Sequence, residues 1–271
     1  MHRATLVCAV SLLALGCPKR KEPERGLEVV FAKEGDVRPV VEKRLAQLGV
    51  VARITEDERS LTVRVPDVGG TVNLGELMKL LTLPARLEFC GAADDARWCG
   101  QDAGVGVQVE PERDGQGCFL RGVDAAALRA AAEAADAGPV FVGELEPGTL
   151  RTFTPEPGCF APRVLEAEAK ADPGLGSQVV NLTFDGPSAT KFGDLTRRLL
   201  RKPLLIVLDG RVTSAPIVME PITGGRAMLT FGRDTTGAEA TRLARALAGG
   251  PLPGTLTLER QGAYGPPSLM K

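Results

Sequence analysis

The alternation of apolar and polar positions divides the chain into short strands and amphipathic helices. Residues 27–32 (LEVVFA) form an apolar run suited to a strand. Val37, Val40, Val41, Leu45 and Leu48 then recur at helical spacing until Gly49 stops the helix. Residues 50–55 and 60–65 read as two strands joined by the polar turn Glu56-Asp57-Glu58-Arg59, the second alternating Leu61, Val63 and Val65 with Thr62 and Arg64. Leu74, Leu77, Met78 and Leu81 mark a second helix, and residues 85–90 a closing strand. Two helices of this length cover only one face of four strands. The βαββαβ order therefore predicts a ferredoxin-like arrangement within an α+β fold class.

A Gly- and Asp-rich excursion follows over residues 91–117, where a domain boundary belongs. Asp124 then caps an Ala-rich helix that Gly138 ends. Residues 140–145 read as a strand, and residues 146–160, with Pro147, Pro155 and Pro157, as mostly loop. From Gln178 the pattern sharpens. Val180, Leu182 and Phe184 alternate with polar residues, and Ala189, Phe192, Leu195 and Leu199 line one side of a helix whose other side carries Lys191, Arg197, Arg198 and Arg201. Residues 204–208 are a wholly apolar strand, Asp209-Gly210 signals a two-residue hairpin, and residues 211–219 return. Gly224-Gly225 predicts a second tight turn before residues 226–231. Thr236 and Glu239 form a capping box for a helix that ends at Gly249-Gly250, and Leu256 and Leu258 alternate in a last strand.

The charges change which partners are reasonable. With 33 Lys plus Arg against 34 Asp plus Glu, no long-range field is available to capture nucleic acid, so none is expected as a partner. The only histidine, His2, lies in a leader: Met1-His2-Arg3 is a positive n-region, residues 4–15 are apolar, and Gly16-Cys17 follows. Without an imidazole beyond it, Ser/His/Asp and Cys/His catalysis and His-liganded metal sites are excluded. No paired-acid constellation stands out either, so the chain reads as no enzyme and no metal or cofactor is expected. Gly16 before Cys17 resembles a bacterial lipobox, although Ala14 stands where that motif prefers Leu. Residues 1–17 thus predict a lipoprotein-type signal peptide with Cys17 as lipid acceptor, and residues 18–25 (PKRKEPER) a charged tether.

Four cysteines remain beyond Cys8 and Cys17. Cys90, Cys99, Cys118 and Cys159 in an exported chain read as two disulfides with three possible connectivities. Nearness in sequence favours Cys90 with Cys99 and Cys118 with Cys159. The spacing contains no CxxC pair, which makes a four-thiolate zinc site the poorer alternative.

The stretch LLIVLDGRVTSAPIVMEPITGGRAMLTF (residues 204–231), followed by a helix and GGPLPGTLTLE (residues 249–259), closely resembles the large periplasmic first domain of SecD, an accessory membrane subunit of bacterial protein export. GLEVVFA, VEKRLAQLGV and LTVRVPDV ending in ARLEF resemble the start of that domain, and residues 264–269 (YGPPSL) the segment leading back into the membrane. The resemblance implies a base built from residues 26–91 with 252–271, and a head over residues 92–251, of which 92–162 match poorly. It also implies that the head contacts exported polypeptide or translocon components. No transmembrane bundle is present here, so a lipid on Cys17 would stand in for the membrane helix. The protein is expected to face the periplasm, lipid-anchored to the inner or outer membrane. The alternative is a scaffolding lipoprotein that kept the fold without an export role.

The head motif residues Asp209, Gly210, Ser214, Ala215, Pro216, Gly224 and Gly225 read as turns rather than as chemistry. Asp-Gly supplies the positive φ angles of a type I′ turn, and Gly224-Gly225-Arg226 is neither a GxxxxGK loop nor followed at once by a helix. Arg197, Arg198, Arg201 and Lys202 read as a solvated helix face rather than a site for lipid headgroups or an acidic partner. Asp94-Asp95 lacks the oxygen-ligand spacing of a calcium loop.

Overall fold

In the computed structural model, residues 25–265 are described apart from 67–72, 113–114, 116, 136–137, 173, 175 and 232–234. The expected signal peptide, Cys17, the expected tether up to Glu24 and residues 266–271 lie outside the described residues. The fold is mixed α+β, with three sheets.

β1 (Gly26–Glu34), α1 (Arg38–Gln47), β2 (Arg53–Glu56), β3 (Ser60–Pro66) and α2 (Leu74–Thr82) follow the expected order. Asn73 caps α2, accepting from the Glu76 N–H at 3.2 Å. Val29, Phe31, Leu61, Val63 and Val65 from the strands and Val41, Leu45, Leu77 and Leu81 from the helices fill one core, as period 2 and period 3.6 require. The fourth strand is not residues 85–90. It is β14 (Thr255–Tyr264), which closes an antiparallel sheet of order β14-β1-β3-β2.

The expected closing strand, β4 (Leu87–Gly91), pairs instead with β11 (Leu204–Leu208). β11 is apolar at every position and buries both faces: Leu204 and Ile206 enter one core, Leu205 and Val207 another. Such a strand needs neighbours on both edges. β4 takes one edge and β12 (Arg211–Ser214) the other, in a seven-stranded sheet of order β4-β11-β12-β7-β8-β6-β5.

β5 (Val107–Pro111), β6 (Cys118–Gly122), β7 (Phe141–Glu146) and β8 (Thr149–Phe153) complete this sheet. Two of them fall where irregular chain was expected. β5 lies inside the Gly-rich excursion, and β8 lies between the prolines of a presumed loop. Both become strands by pairing with β6, where β8 also has β7 beside it. α3 (Ala125–Ala134) starts at Asp124, whose carboxylate accepts from the Ala126 N–H, and packs Leu128 and Ala132 against Trp98, Leu120 and Val142.

A three-stranded sheet of order β13-β10-β9 carries the remaining two helices. β9 (Val164–Asp172) has no counterpart in the sequence reading; β10 (Ser177–Phe184) and β13 (Arg226–Thr230) do. α4 (Gly186–Arg198) and α5 (Gly237–Gly249) pack on this sheet around Phe192, Leu195, Leu243 and Leu247, and α5 opens with the predicted Thr236/Glu239 capping box. Gly224-Gly225 does not close a hairpin of neighbouring strands: β12 belongs to the seven-stranded sheet and β13 to the three-stranded one.

The disulfides are Cys90–Cys159 and Cys99–Cys118, the reverse of what nearness in sequence favours. Tertiary pairing decides it. Phe89 and Phe160 form a bridge that brings their neighbours Cys90 and Cys159 together, and the Cys118 N–H donates to the Asp95 carbonyl, setting Cys118 beside the turn that ends at Cys99.

One side chain joins these parts. Arg44 of α1 is fully buried, and its guanidinium donates to the carbonyls of Leu80, Leu81 and Leu83 at the end of α2 and of Gly250 at the end of α5, at 2.6–3.2 Å. Helix ends leave carbonyls without intrahelical partners and carry partial negative charge, so a single cation serves both. Burial pushes its pKa down to about 10, against which the Asp209 carboxylate acts, so the group stays charged at neutral pH. Arg44→Met keeps the aliphatic stem but orphans those carbonyls. It is expected to destabilise the fold by about 3 kcal/mol or more, and urea denaturation at pH 7 measures it.

Candidate functional site

The residues singled out by sequence are placed by the fold, and most of them do structural work. Asp209 and Gly210 turn β11 into β12 with φ of 51° and 76°, the left-handed pair that a type I′ hairpin needs. The Asp209 carboxylate also accepts from the Arg86 N–H at 2.7 Å, and its N–H donates to the Arg86 carbonyl at 2.9 Å. Ser214 lies opposite Ile206 in the β11–β12 pairing, Ala215 packs beside Cys90 and Leu205, and the Pro216 carbonyl accepts from the Leu204 N–H.

From Pro216 to Gly225 the chain runs as a strap along α4. It is held at the end of the helix by the Arg201 N–H donating to the Val218 carbonyl and the Val218 N–H to the Lys202 carbonyl, at 2.8 and 3.0 Å. In the middle the Ile222 N–H donates to the Thr196 hydroxyl at 2.9 Å; Thr196, fully buried, in turn donates to the Phe192 carbonyl. At the start of the helix Gly225, with φ of 64°, comes so close to Ala189 that an added Cβ would stand 2.6 Å from the alanine Cβ, which is why glycine is required there.

These anchors bury Val218 and turn its neighbours outward. Ile217 is 52% exposed, Met219 69% and Ile222 37%, with Leu200 of the helix end 46% exposed opposite the strap. Large apolar side chains held outward by a hydrogen-bonded backbone form a pre-organised apolar surface. The pattern of the sequence places Ile217 and Met219 in a returning strand and gives Leu200 and Ile222 no role, so the surface they form is missed. The signal was the run PIVMEPI, whose prolines Pro216 and Pro221 interrupt strand pairing.

The cations beside this patch are largely engaged. Arg197 pairs with Asp194 at 2.7 Å, Arg198 pairs with Glu156, and Lys202 lies 3.9 Å from the same Glu156. A concavity of about 440 Å³ lies between α2 and α5, lined by Leu48, Leu77, Leu80, Arg242 and Arg245 among others.

The carboxylates with resolved shifts sit below their ordinary pKa. Asp57, Asp185 and Glu239 accept hydrogen bonds from turn or cap groups: Ser60 for the first, Ser188 for the second and the Thr236 backbone for the third. At Asp95 burial alone would raise the value, and hydrogen bonds from Arg97 and Thr154 outweigh it. No group of three or more His, Cys, Asp or Glu residues able to hold a metal occurs among the described residues.

Comparison with known proteins puts this surface within a matched segment. Residues 153–254 match the family described as SecDF, P1 head subdomain. Over 101 residues the chain is 43% identical to the protein translocase subunit SecD of Acidaminococcus fermentans, a stretch covering 37% of this chain and 24% of that protein. Over 92 residues it is 42% identical to the protein translocase subunit SecDF of Thermus thermophilus, covering 34% of this chain and 12% of that one. The matched stretch thus spans about a quarter or less of these relatives. SecDF in its super-membrane-facing form superposes with a TM-score of 0.60 at 24% identity, over 89% of this chain and 30% of that chain. A second SecDF structure, described as a membrane component that enhances protein export, gives 0.54 at 23% identity over 87% of this chain and 98% of that one. The likeness to the SecD periplasmic domain read from the residues therefore stands. Among the described residues no helix is long and apolar enough to cross a membrane.

Asp95 generates a pH prediction. A carboxyl whose folded pKa is depressed contributes stability above its unfolded value of about 4, lost as pH falls through the lower folded one. Asp95→Asn is expected to cost about 1–3 kcal/mol at neutral pH, with the difference from the parent shrinking towards about pH 3; urea melts at the two pH values measure it.

Proposed function

We propose that the protein is a periplasm-facing, non-catalytic module of protein export that binds exported polypeptide, or an apolar segment of a translocon component, through the strap surface of Ile217, Met219, Ile222 and Leu200. The single observation that carries this reading is that an exposed apolar surface on a hydrogen-bonded backbone lies inside the segment that matches the SecDF head. Apolar contact with few directional groups suits extended chains of varied sequence.

The sheet order β14-β1-β3-β2 with α1 and α2 against it supports reading residues 26–91 with 252–271 as a ferredoxin-like base. Residues 92–251 then form the head, and β4, paired to β11, is the strand that joins the two. In the same reading residues 1–17 are a signal peptide, Cys17 carries a lipid, and residues 18–25 tether the base to the inner or outer membrane.

The test is a chaperone-type assay on the purified protein. It should slow aggregation of an unfolded exported protein, and Met219→Asp with Ile217→Asp should abolish the effect while changing stability by no more than about 0.5 kcal/mol each, as expected at exposed positions. No slowing by the parent protein, together with in-cell crosslinking that recovers only cell-wall or outer-membrane components, would favour the scaffolding alternative.

A further inference from the structure

Three residues other than glycine have positive φ among the described residues: Ala85, Arg201 and Asp209. Asp209 is the hairpin residue, of a type that tolerates this conformation, and Ala85 has a minimal side chain and is buried. Arg201, with φ of 62°, is neither small nor buried. The turn after α4 fixes its backbone. The Arg201 N–H donates to the Val218 carbonyl, and the Lys202 N–H to the Leu199 carbonyl, both at 2.8 Å, which closes a turn with Arg201 at its third position. A third turn residue with positive φ is normally glycine, because a Cβ there is strained. Strained backbone that no core packing explains points to a function for the side chain.

The residue sits beside the apolar strap. Val218, to which its backbone is bonded, stands between the outward-facing Ile217 and Met219, and the exposed Leu200 precedes Arg201 in the chain. The Arg201 guanidinium has no hydrogen bond, ion pair or ring contact among the described residues. Its neighbouring cations are engaged: Arg197 with Asp194, and Arg198 and Lys202 with Glu156. On the strap itself Glu220, exposed and also without an ion pair among the described residues, follows Met219. The patch thus carries one free cation at the turn after α4 and one free anion beyond Met219.

We propose that Arg201 sets the specificity of the strap: it selects polypeptide segments in which an acidic residue adjoins the aliphatic residues that cover Leu200, Ile217 and Met219. The inference rests on the reading of the strap as a polypeptide-binding surface and adds the class of sequence it takes. Apolar contact along the strap brings the ligand's carboxylate to a guanidinium whose donors are all available, and a carboxylate is the group that such a fork binds best. A basic residue in the same place meets repulsion, so the selection works in both directions. A lipid surface fits less well. Docking on anionic lipid draws on several cations together, whereas here a single free cation stands near Glu156 and Glu220.

Fluorescence anisotropy of the purified protein with labelled, end-capped peptides tests it. Three peptides share one run of Leu, Val and Ala between Ser/Gly flanks and carry a single Glu, Gln or Lys at the end of the run. At low salt the Glu peptide should bind about threefold tighter than the Gln peptide, the gain an exposed ion pair supplies, and the Lys peptide weaker than both. About 1 M salt should remove the ranking. Arg201→Gly should equalise the three affinities while melting within a few degrees of the parent, because glycine adopts this φ without strain. Arg201→Glu should reverse the order. Lys43→Glu, the same change of charge on an exposed residue of α1, should leave the order as in the parent. No binding of any peptide overturns the polypeptide-binding reading and the specificity with it. Peptide binding without the ranking, or a ranking that Arg201→Gly leaves intact, overturns the role of Arg201 alone. So does binding to phosphatidylglycerol vesicles with equal affinity for the three peptides, which would assign the residue to a membrane surface.

Discussion

The geometry of the whole molecule turns on a buried guanidinium with no carboxylate bound to it. Arg44 donates from both Nη atoms to the carbonyl ends of α2 and α5, while its buried Nε has no hydrogen-bond partner, and so it ties the ends of those two helices to each other. A buried cation is costly unless its hydrogen bonds are met, so with Nε already unpartnered the four Nη bonds carry the contact. Gly249 sits against it so closely that an added Cβ would lie 2.6 Å from the arginine Cγ. Asp209 contributes at a distance. It is a hairpin residue by backbone conformation, yet it ties Arg86, just after α2, to the seven-stranded sheet and supplies the carboxylate that favours the charged arginine.

That clamp joins the helices of the four-stranded sheet to α5 on the three-stranded one, while the neck of the intervening lobe is closed by different means. Cys90–Cys159 and the bridges Phe89–Phe160 and Ala92–Pro155 bring the entry and exit of residues 92–158 together. Inside, Trp98, Leu120, Leu128 and Val142 form a small separate core with its own Cys99–Cys118 crosslink. A core of that size gains from covalent closure. The strap along α4 lies outside residues 92–158. Its support is Thr196, the one buried hydroxyl that meets both its own helix and the Ile222 backbone.

Where one element's own pattern decides its structure, the sequence was legible. The period-3.6 face of α1, the alternation in β3 and β10, the capping box of α5 and the Asp209-Gly210 turn are all local, and all are found. What was not legible depends on partners distant in the chain. Residues 85–90 form a strand, but which sheet claims it is decided by the doubly buried β11, more than a hundred positions later. β5 and β8 carry weak patterns and become strands by pairing with β6, and the disulfides follow that pairing rather than chain proximity. The apolar surface escaped for a related reason. PIVMEPI looks like a strand end until Val218 is seen held between Arg201 and Lys202, with the flanking side chains forced outward.

Rigidity and placement together explain how a surface of four aliphatic side chains could serve a binding role. A floppy apolar loop would lose side-chain and backbone entropy on every encounter, whereas the strap has already lost it on folding.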